Sequence, residues 1–221
     1  MVPKIKIPLY QPVFDKEEEK AVIKVIRSKK LSRGPEIEQF EKDFAKFVCK
    51  KYAIAVNSGT SGLHLAVKAL GWEEGDEVIT TPYSFVASSN VLLYEKITPI
   101  FVDINQDTLN LDLKRVANII SKNTVGILPV HIWGLPVDAD KLGSLKKHYN
   151  LSVLEDASQA IGKPSDLFPF GRVGEISVYS FYENKQITTG GEGGIIVTDN
   201  KKLAEVCRSL RDQGRSTKKI G

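Results

Sequence analysis

The sequence predicts an α/β fold of three α-β-α layers, built on a mostly parallel, mixed sheet of seven strands. Three observations carry that reading. Seven short β-rich runs recur along the chain: "YAIAVN", "EVITTP", "PIFVDI", "VGILPVHIW", "LSVLED", "ISVYSF" and "GIIVTD". The stretches between the first five mostly read as helix, or as loop plus helix, as in "SGLHLAVKALG" and "DADKLGSLKKHY". Strands that are apolar on both faces and alternate with helices belong to a parallel sheet covered on both sides. The last two runs are joined by a glycine-rich segment alone, too short for a helical crossover, so that pair reads as antiparallel.

Two helices precede the sheet. Asp15 can cap the first, with Glu18 three residues on, and Ala21, Val22, Val25 and Ile26 repeat at helical spacing. The second begins at Pro35, a favoured first-turn position, and is expected to bury Phe40, Phe44 and Phe47. No internal repeat, low-complexity stretch or linker divides the chain, which reads as one domain over 1–221.

Composition narrows the function. Hydrophobic residues make up 42% and charged residues 26%, ordinary for a globular protein. The formal charge of +4 comes from 31 basic and 27 acidic residues scattered along the chain, which argues against nucleic acid as a partner. Cys49 and Cys207 lie far apart, so neither zinc nor a disulfide framework is expected. His64, His131 and His148 lack metal-ligand spacing, and no metal site is expected. The start "MVPKIKIPLYQP" has no apolar leader core, and no apolar run reaches the roughly 18 residues of a membrane span. A cytoplasmic location is expected.

Ligands of open α/β sheets bind beyond the carboxyl ends of the strands. After "YAIAVN" come Ser58, Gly59, Thr60, Ser61 and Gly62, opening a helix whose unpaired N–H groups and dipole suit an anion. After "EVITTP" come Tyr83, Ser84 and Phe85, and the fourth run ends in His131, Ile132, Trp133 and Gly134. "LSVLE" is followed by Asp156 and, three residues later, Gln159; "ISVY" is followed by Ser180 and then Lys185. Each has a plain structural alternative: a helix N-cap at Ser58 or Thr60, a core ring at Phe85, a helix cap for "ASQAIG" at Asp156, a solvated amine at Lys185. Together, an anion-binding helix start, an aromatic ring, a near-buried acid and a lysine converge on one edge of the sheet.

That set is what pyridoxal 5'-phosphate requires. A lysine bonds to the cofactor aldehyde, and an acid pairs with the pyridinium nitrogen. At ~4 Å and an effective dielectric near 20, opposite charges attract by roughly 4 kcal/mol before desolvation. Even a fraction of that raises the pyridinium pKa by a unit or more, at about 1.36 kcal/mol each. A protonated ring nitrogen makes the ring a better electron sink. The lysine, once displaced, can carry a proton if its amine is neutral, and burial favours the neutral form. The glycines of "TTGGEGG" let the backbone turn behind Lys185 and enter the last strand.

On these residues the sequence resembles the DegT/DnrJ/EryC1/StrS family, the sugar aminotransferases among fold-type I pyridoxal-phosphate enzymes. The matching segments are "RGPEIEQFEKDFAKF", "AVNSGTSGLHLAV", "GDEVITTPYSFVASSNV", "VHIWGLPVDADKL", "LEDASQAIG", "YSFYENKQITTGGEGGIIVTD" and "LRDQGR". The resemblance implies the large domain of an aspartate aminotransferase-like fold. It implies that Gly59 and Thr60 hold the cofactor phosphate with Ser180, that Phe85 stacks on the pyridine ring, that Asp156 meets its nitrogen and that Gln159 meets its phenolic oxygen. Lys185 would be the Schiff-base lysine, where relatives with histidine are dehydratases. Ser158 stands where alanine is common. The implied reaction moves an amino group from glutamate or glutamine to a nucleotide-linked keto sugar, in amino-sugar or cell-surface polysaccharide biosynthesis, within a homodimer. The family continues into a smaller C-terminal domain soon after "LRDQGR", and this chain is expected to lack it. The alternatives are a cofactor-binding or interaction module of the same fold without activity, and a dinucleotide-binding oxidoreductase. The second is disfavoured because "GTSG" falls short of G-x-G-x-x-G.

Overall fold

Six strands of the sheet run one way and the seventh runs against them, and this single reversal places the glycine-rich segment at the edge where the other strands end. The computed structural model describes residues 7–162, 165 and 170–216. Part of the "MVPKIKIPLYQP" stretch and most of the final "STKKIG" lie outside the described residues.

The chain begins with helices α1 (Lys16–Ser28) and α2 (Pro35–Phe47), then enters strand β1 (Tyr52–Val56) and helix α3 (Gly59–Leu70). Next come β2 (Glu77–Thr80), α4 (Ala87–Tyr94), β3 (Thr98–Phe101), the short α5 (Leu113–Val116) and β4 (Thr124–Ile127). A 3₁₀ turn at Ile132–Gly134 leads to α6 (Ala139–Tyr149), β5 (Ser152–Asp156), β6 (Ile176–Ser180), β7 (Gly194–Thr198) and α7 (Lys201–Arg211). The sheet order is β1-β7-β6-β5-β4-β2-β3. Pairings β2/β3, β2/β4, β4/β5 and β5/β6 are parallel, whereas β7 is antiparallel to both β1 and β6. The expected antiparallel pair is therefore present, and β7 inserts between the first and sixth strands.

Alternation along the strands sorts side chains to the two faces. Ile54, Leu154, Val178 and Ile196 pack with Leu63, Ala66 and Val67 of α3, Val91 and Leu92 of α4, and Cys207 of α7. On the other face Ala53, Tyr179, Ile195 and Val197 meet Phe44 and Ala45 of α2. Ile79, Ile127 and Val153 meet Val116 of α5 and Leu142 of α6 on that face too. The result is the three-layer arrangement.

The capping box at Asp15 and Glu18 forms as the spacing predicts. Helix α1 buries none of its residues, however, and its apolar side chains Val22 and Ile26 face outward. One expectation for α2 is overturned. Phe44 is buried and Phe40 packs beside it, but Phe47 is 45% exposed. It sits at the last helical position, three residues after Phe44, with its ring centroid 6.2 Å from that of Phe44 and its remaining surface open at the helix end. Both cysteines are free. Among the described residues, no helix is long and apolar enough to cross a membrane.

Candidate active site

Strand ends and the loops that follow them deliver the candidate groups to one edge of the sheet. Beyond β1, Ser58 adopts an extended backbone and caps α3, its Oγ accepting the Ser61 N–H at 3.0 Å. The Ser58 carbonyl takes the Gly62 N–H at 3.0 Å. The N–H groups of Gly59 and Thr60 have no intrahelical partner at this position, and the helix dipole adds positive potential. Ser58 is thus the cap that the plain alternative proposed, yet the cap leaves the anion-binding face of the helix start intact.

Two glycines allow the close packing around it. A Cβ on Gly59 would stand 2.9 Å from Ser180 Cβ. One on Gly194 would stand 2.6 Å from the Ser58 carbonyl carbon and 2.7 Å from the Gly59 nitrogen. The end of β6, the start of β7 and the start of α3 therefore meet backbone to backbone, bringing Ser180 to the helix terminus.

Asp156 ends β5 and is buried, with 3% of its surface exposed. Its Oδ2 accepts the Ser88 hydroxyl at 2.7 Å and its Oδ1 the Ser158 N–H at 3.0 Å. The residues after it turn without forming a helix, so Asp156 caps no helix there. Phe85, in the turn before α4, is 71% exposed and hence no core ring. Gln159 has its Oε1 committed to the Trp133 N–H at 2.9 Å, which presents its Nε2 as a donor. Lys185 is half-buried, its backbone N–H bonded to the Tyr182 carbonyl at 2.9 Å. Burial pushes the Lys185 amine below the usual lysine range, with the charge of Asp156 opposing that shift. Behind it Gly190 and Gly191 adopt φ of 97° and 138°, the left-handed side of backbone space that lets the chain turn back into β7.

All seven predicted residues, Gly59, Thr60, Phe85, Asp156, Gln159, Ser180 and Lys185, line one cleft of ≈ 710 Å³. An outer cavity of ≈ 680 Å³ shares Ser84, Phe85, Gln159, Asn184 and Lys185 and adds Tyr83, Trp133 and Gln186. A buried carboxylate and an amine whose pKa burial lowers thus share one space with an anion-suited helix start.

Sequence reasoning missed Ser88 and the link from Gln159 to Trp133. Ser88 and Ser89 are adjacent serines of one motif. The first is buried against Asp156, whereas the second bonds back to the Val86 carbonyl on the outer side of α4. Only the packing of α4 separates them. His131 and Glu155, both buried, form a support behind the site. The Val137 N–H donates to His131 Nδ1, so the ring hydrogen lies on Nε2 and is donated to Glu155 Oε2 at 2.9 Å.

Known proteins resemble this chain along almost its whole length. A curated relative, GDP-perosamine synthase of Escherichia coli O157:H7, is 40% identical over 209 residues, 94% of this chain and 57% of the relative. The solved aminotransferase from Psychrobacter cryohalolentis superposes with a TM-score of 0.90 at 37% identity, covering 94% of this chain and 54% of that one. NtdA from Bacillus subtilis, solved with bound cofactor PMP, gives a TM-score of 0.83 at 31% identity, covering 99% and 52% respectively. The chain spans about half the length of the curated relatives it matches. The model of the DegT/DnrJ/EryC1/StrS aminotransferase family matches residues 12–221, and the chain belongs to that family.

Proposed function

We propose that this chain forms the cofactor-binding part of a pyridoxal-phosphate-dependent aminotransferase acting on a nucleotide-linked keto sugar, with glutamate or glutamine as amino donor. The observation that carries the reading is the shared cleft of Asp156 and Lys185. The two groups interact electrostatically, while the hydrogen bonds of the carboxylate go to Ser88 and Ser158. Both side chains line the same cleft, which could take a flat ring against the acid and the amine. A cleft of ≈ 710 Å³ is ample for a small cofactor, and the glycines at 59 and 194 let β6, β7 and the start of α3 pack closely at its anion-binding end.

In this reading the cofactor supplies an aldehyde for amine capture and a ring that accepts electron density. Gly59 and Thr60 offer backbone N–H groups, and Ser180 a hydroxyl, to its phosphate. Phe85 covers one face of the ring and excludes water there. Asp156, oriented by Ser88, holds a proton at the ring nitrogen. Gln159 donates from Nε2 to the phenolic oxygen. Lys185 would hold the cofactor through its amine and, when not so engaged, would move a proton to and from the substrate carbon in its neutral form. The lowered pKa of Lys185 supports both roles. The name of the E. coli relative supports a nucleotide-linked sugar as acceptor. The exposed apolar residues of α1 support a homodimer.

The test is spectroscopic. The purified chain with pyridoxal phosphate is expected to show the visible band of lysine-bound cofactor, lost in Lys185→Ala, and glutamate is expected to convert it to the amine form. Capture that survives Lys185→Ala would refute the assignment of the lysine. Normal capture without conversion would leave a cofactor-binding module in place of an aminotransferase.

A further inference from the structure

We propose that Trp133 is the stacking surface for the sugar ring of the substrate, a specificity-determining contact that rests on the aminotransferase reading of the cleft. The chain has two tryptophans with opposite environments. Trp72 is 5% exposed and donates its Nε1–H to Ser152 Oγ at 2.8 Å. Trp133 is 76% exposed at the mouth of the cleft. Large aromatic side chains gain most from burial, so one left bare beside a cavity is a surface waiting for a ligand.

The backbone points the same way. Trp133 has φ 54° and ψ 20°, the left-handed region that bulky residues rarely occupy and that is found at ligand clamps. The conformation is held from both sides. The Gln159 side chain accepts the Trp133 N–H at 2.9 Å, and the Leu135 N–H bonds to the Ile132 carbonyl at 2.9 Å.

Position decides which part of the substrate lies there. The outer cavity of ≈ 680 Å³ includes both Trp133 and Lys185. The reacting sugar carbon must approach the Lys185 amine, whereas the nucleobase lies a diphosphate away, so the indole meets the sugar. A pyranose presents a flat C–H face to an aromatic ring and its hydroxyls sideways, where the amides of Asn184 and Gln186 line the same cavity. Gln159 then serves two partners, binding Trp133 through Oε1 and facing the cofactor with Nε2.

The contrast between the tryptophans supplies the measurement. Acrylamide quenching of fluorescence is recorded on the pyridoxal-phosphate-loaded chain with GDP-mannose, dTDP-glucose and UDP-N-acetylglucosamine, and with GDP, TDP and UDP alone. At least one sugar nucleotide is expected to lower the quenching constant by about threefold or more, with little effect from its nucleotide. Trp133→Phe, which keeps a ring but leaves only buried Trp72 to emit, is expected to quench weakly and to bind the same sugar nucleotide almost normally by calorimetry. Trp133→Gly accommodates the positive φ and removes the ring, and is expected to weaken that binding by about threefold to tenfold. Equal protection by the nucleotide alone would overturn the sugar assignment. Protection by none of the probes, or only on raising the protein concentration, would overturn the proposal while the cofactor band leaves the aminotransferase reading standing. Loss of the band itself would remove that reading, and this one with it.

Discussion

Ser88 on α4 and Asp156 at the end of β5 lie 68 residues apart in sequence and are joined by a 2.7 Å hydrogen bond between two buried side chains. Ser84 approaches Ser88 from the cleft side, oxygen to oxygen at 3.1 Å. With the Ser88 proton given to Asp156, the hydrogen in that second contact comes from Ser84. The carboxylate is thereby fixed by α4 as well as by its own strand. A bond from a hydroxyl to a charged acceptor is worth about 1.5–3 kcal/mol. Ser88→Ala is therefore expected to weaken pyridoxal-phosphate affinity by about tenfold and to shift the pH dependence of the bound-cofactor spectrum, with Ser88→Thr restoring both. Unchanged affinity and spectrum in the alanine variant would remove Ser88 from the site.

Lys185 gives a pH prediction with a definite sign. Burial lowers its pKa from the usual 10.5, and Asp156 partly offsets that. Peptide-resolved labelling of the apo chain with trinitrobenzenesulfonate should show Lys185 reacting with a midpoint below 10.5, and Asp156→Asn should move the midpoint lower still. The folded pKa lies below the unfolded one, so the amine costs stability below the folded value and the cost disappears above 10.5. Lys185→Met should accordingly raise the urea midpoint of the apo chain at pH 7 and leave it unchanged near pH 11.

The fold and the gathering of the candidate residues in one cleft were legible in the sequence because both depend on local patterns. Strand runs such as "GIIVTD" announce themselves by composition, and the short link from Lys185 to Gly194 forces the reversal of β7. The seven site residues follow strand ends, where topology puts them on one edge whatever the details of packing. Orientation was not legible. Phe47 repeats at helical spacing with Phe44 and its ring reaches that of Phe44, but at the last helical position it stays 45% exposed. Ser88 differs from Ser89 only by the direction in which α4 faces the sheet, a consequence of its packing on α3, β2 and β3 that the motif does not encode.

Glu155 precedes Asp156 and points to the opposite face, where it is buried and holds the turn after residue 170. Its Oε1 accepts N–H bonds from Val173 and Gly174, and its Oε2 from Gly171 and His131 Nε2. Burial pushes its carboxyl up, but these donors outweigh it and hold the pKa below the usual 4.5. Its stabilising contribution is complete above pH 4.5 and lost as the pH falls through the folded value. Glu155→Gln sets an amide NH₂ against donors on one side or the other, and should cost roughly 3 kcal/mol at pH 7. The variant should also lose less stability than the parent between pH 5 and pH 3 (about one titrating group), as read by urea unfolding at each pH. A parallel acid limb in the two proteins would remove Glu155 from the acid transition.

Gly190 and Gly194 flank the same segment yet should respond to alanine differently. At Gly190 there is open space around the missing Cβ and the difficulty is the φ of 97°. Alanine there strains a turn by about 1 kcal/mol without touching the cleft, so stability falls and cofactor affinity is retained. At Gly194 the added Cβ would press on the Ser58 carbonyl carbon at 2.6 Å and the Gly59 nitrogen at 2.7 Å, both backbone atoms that no rotamer change can move. Relief requires shifting the start of α3, at roughly 1–3 kcal/mol, and with it the N–H groups offered to the phosphate. Gly194→Ala should therefore lower both the urea midpoint and the affinity for pyridoxal phosphate, while its affinity for pyridoxal, which lacks the phosphate, changes little. Equal losses for both ligands would show that the helix start is not where the phosphate binds.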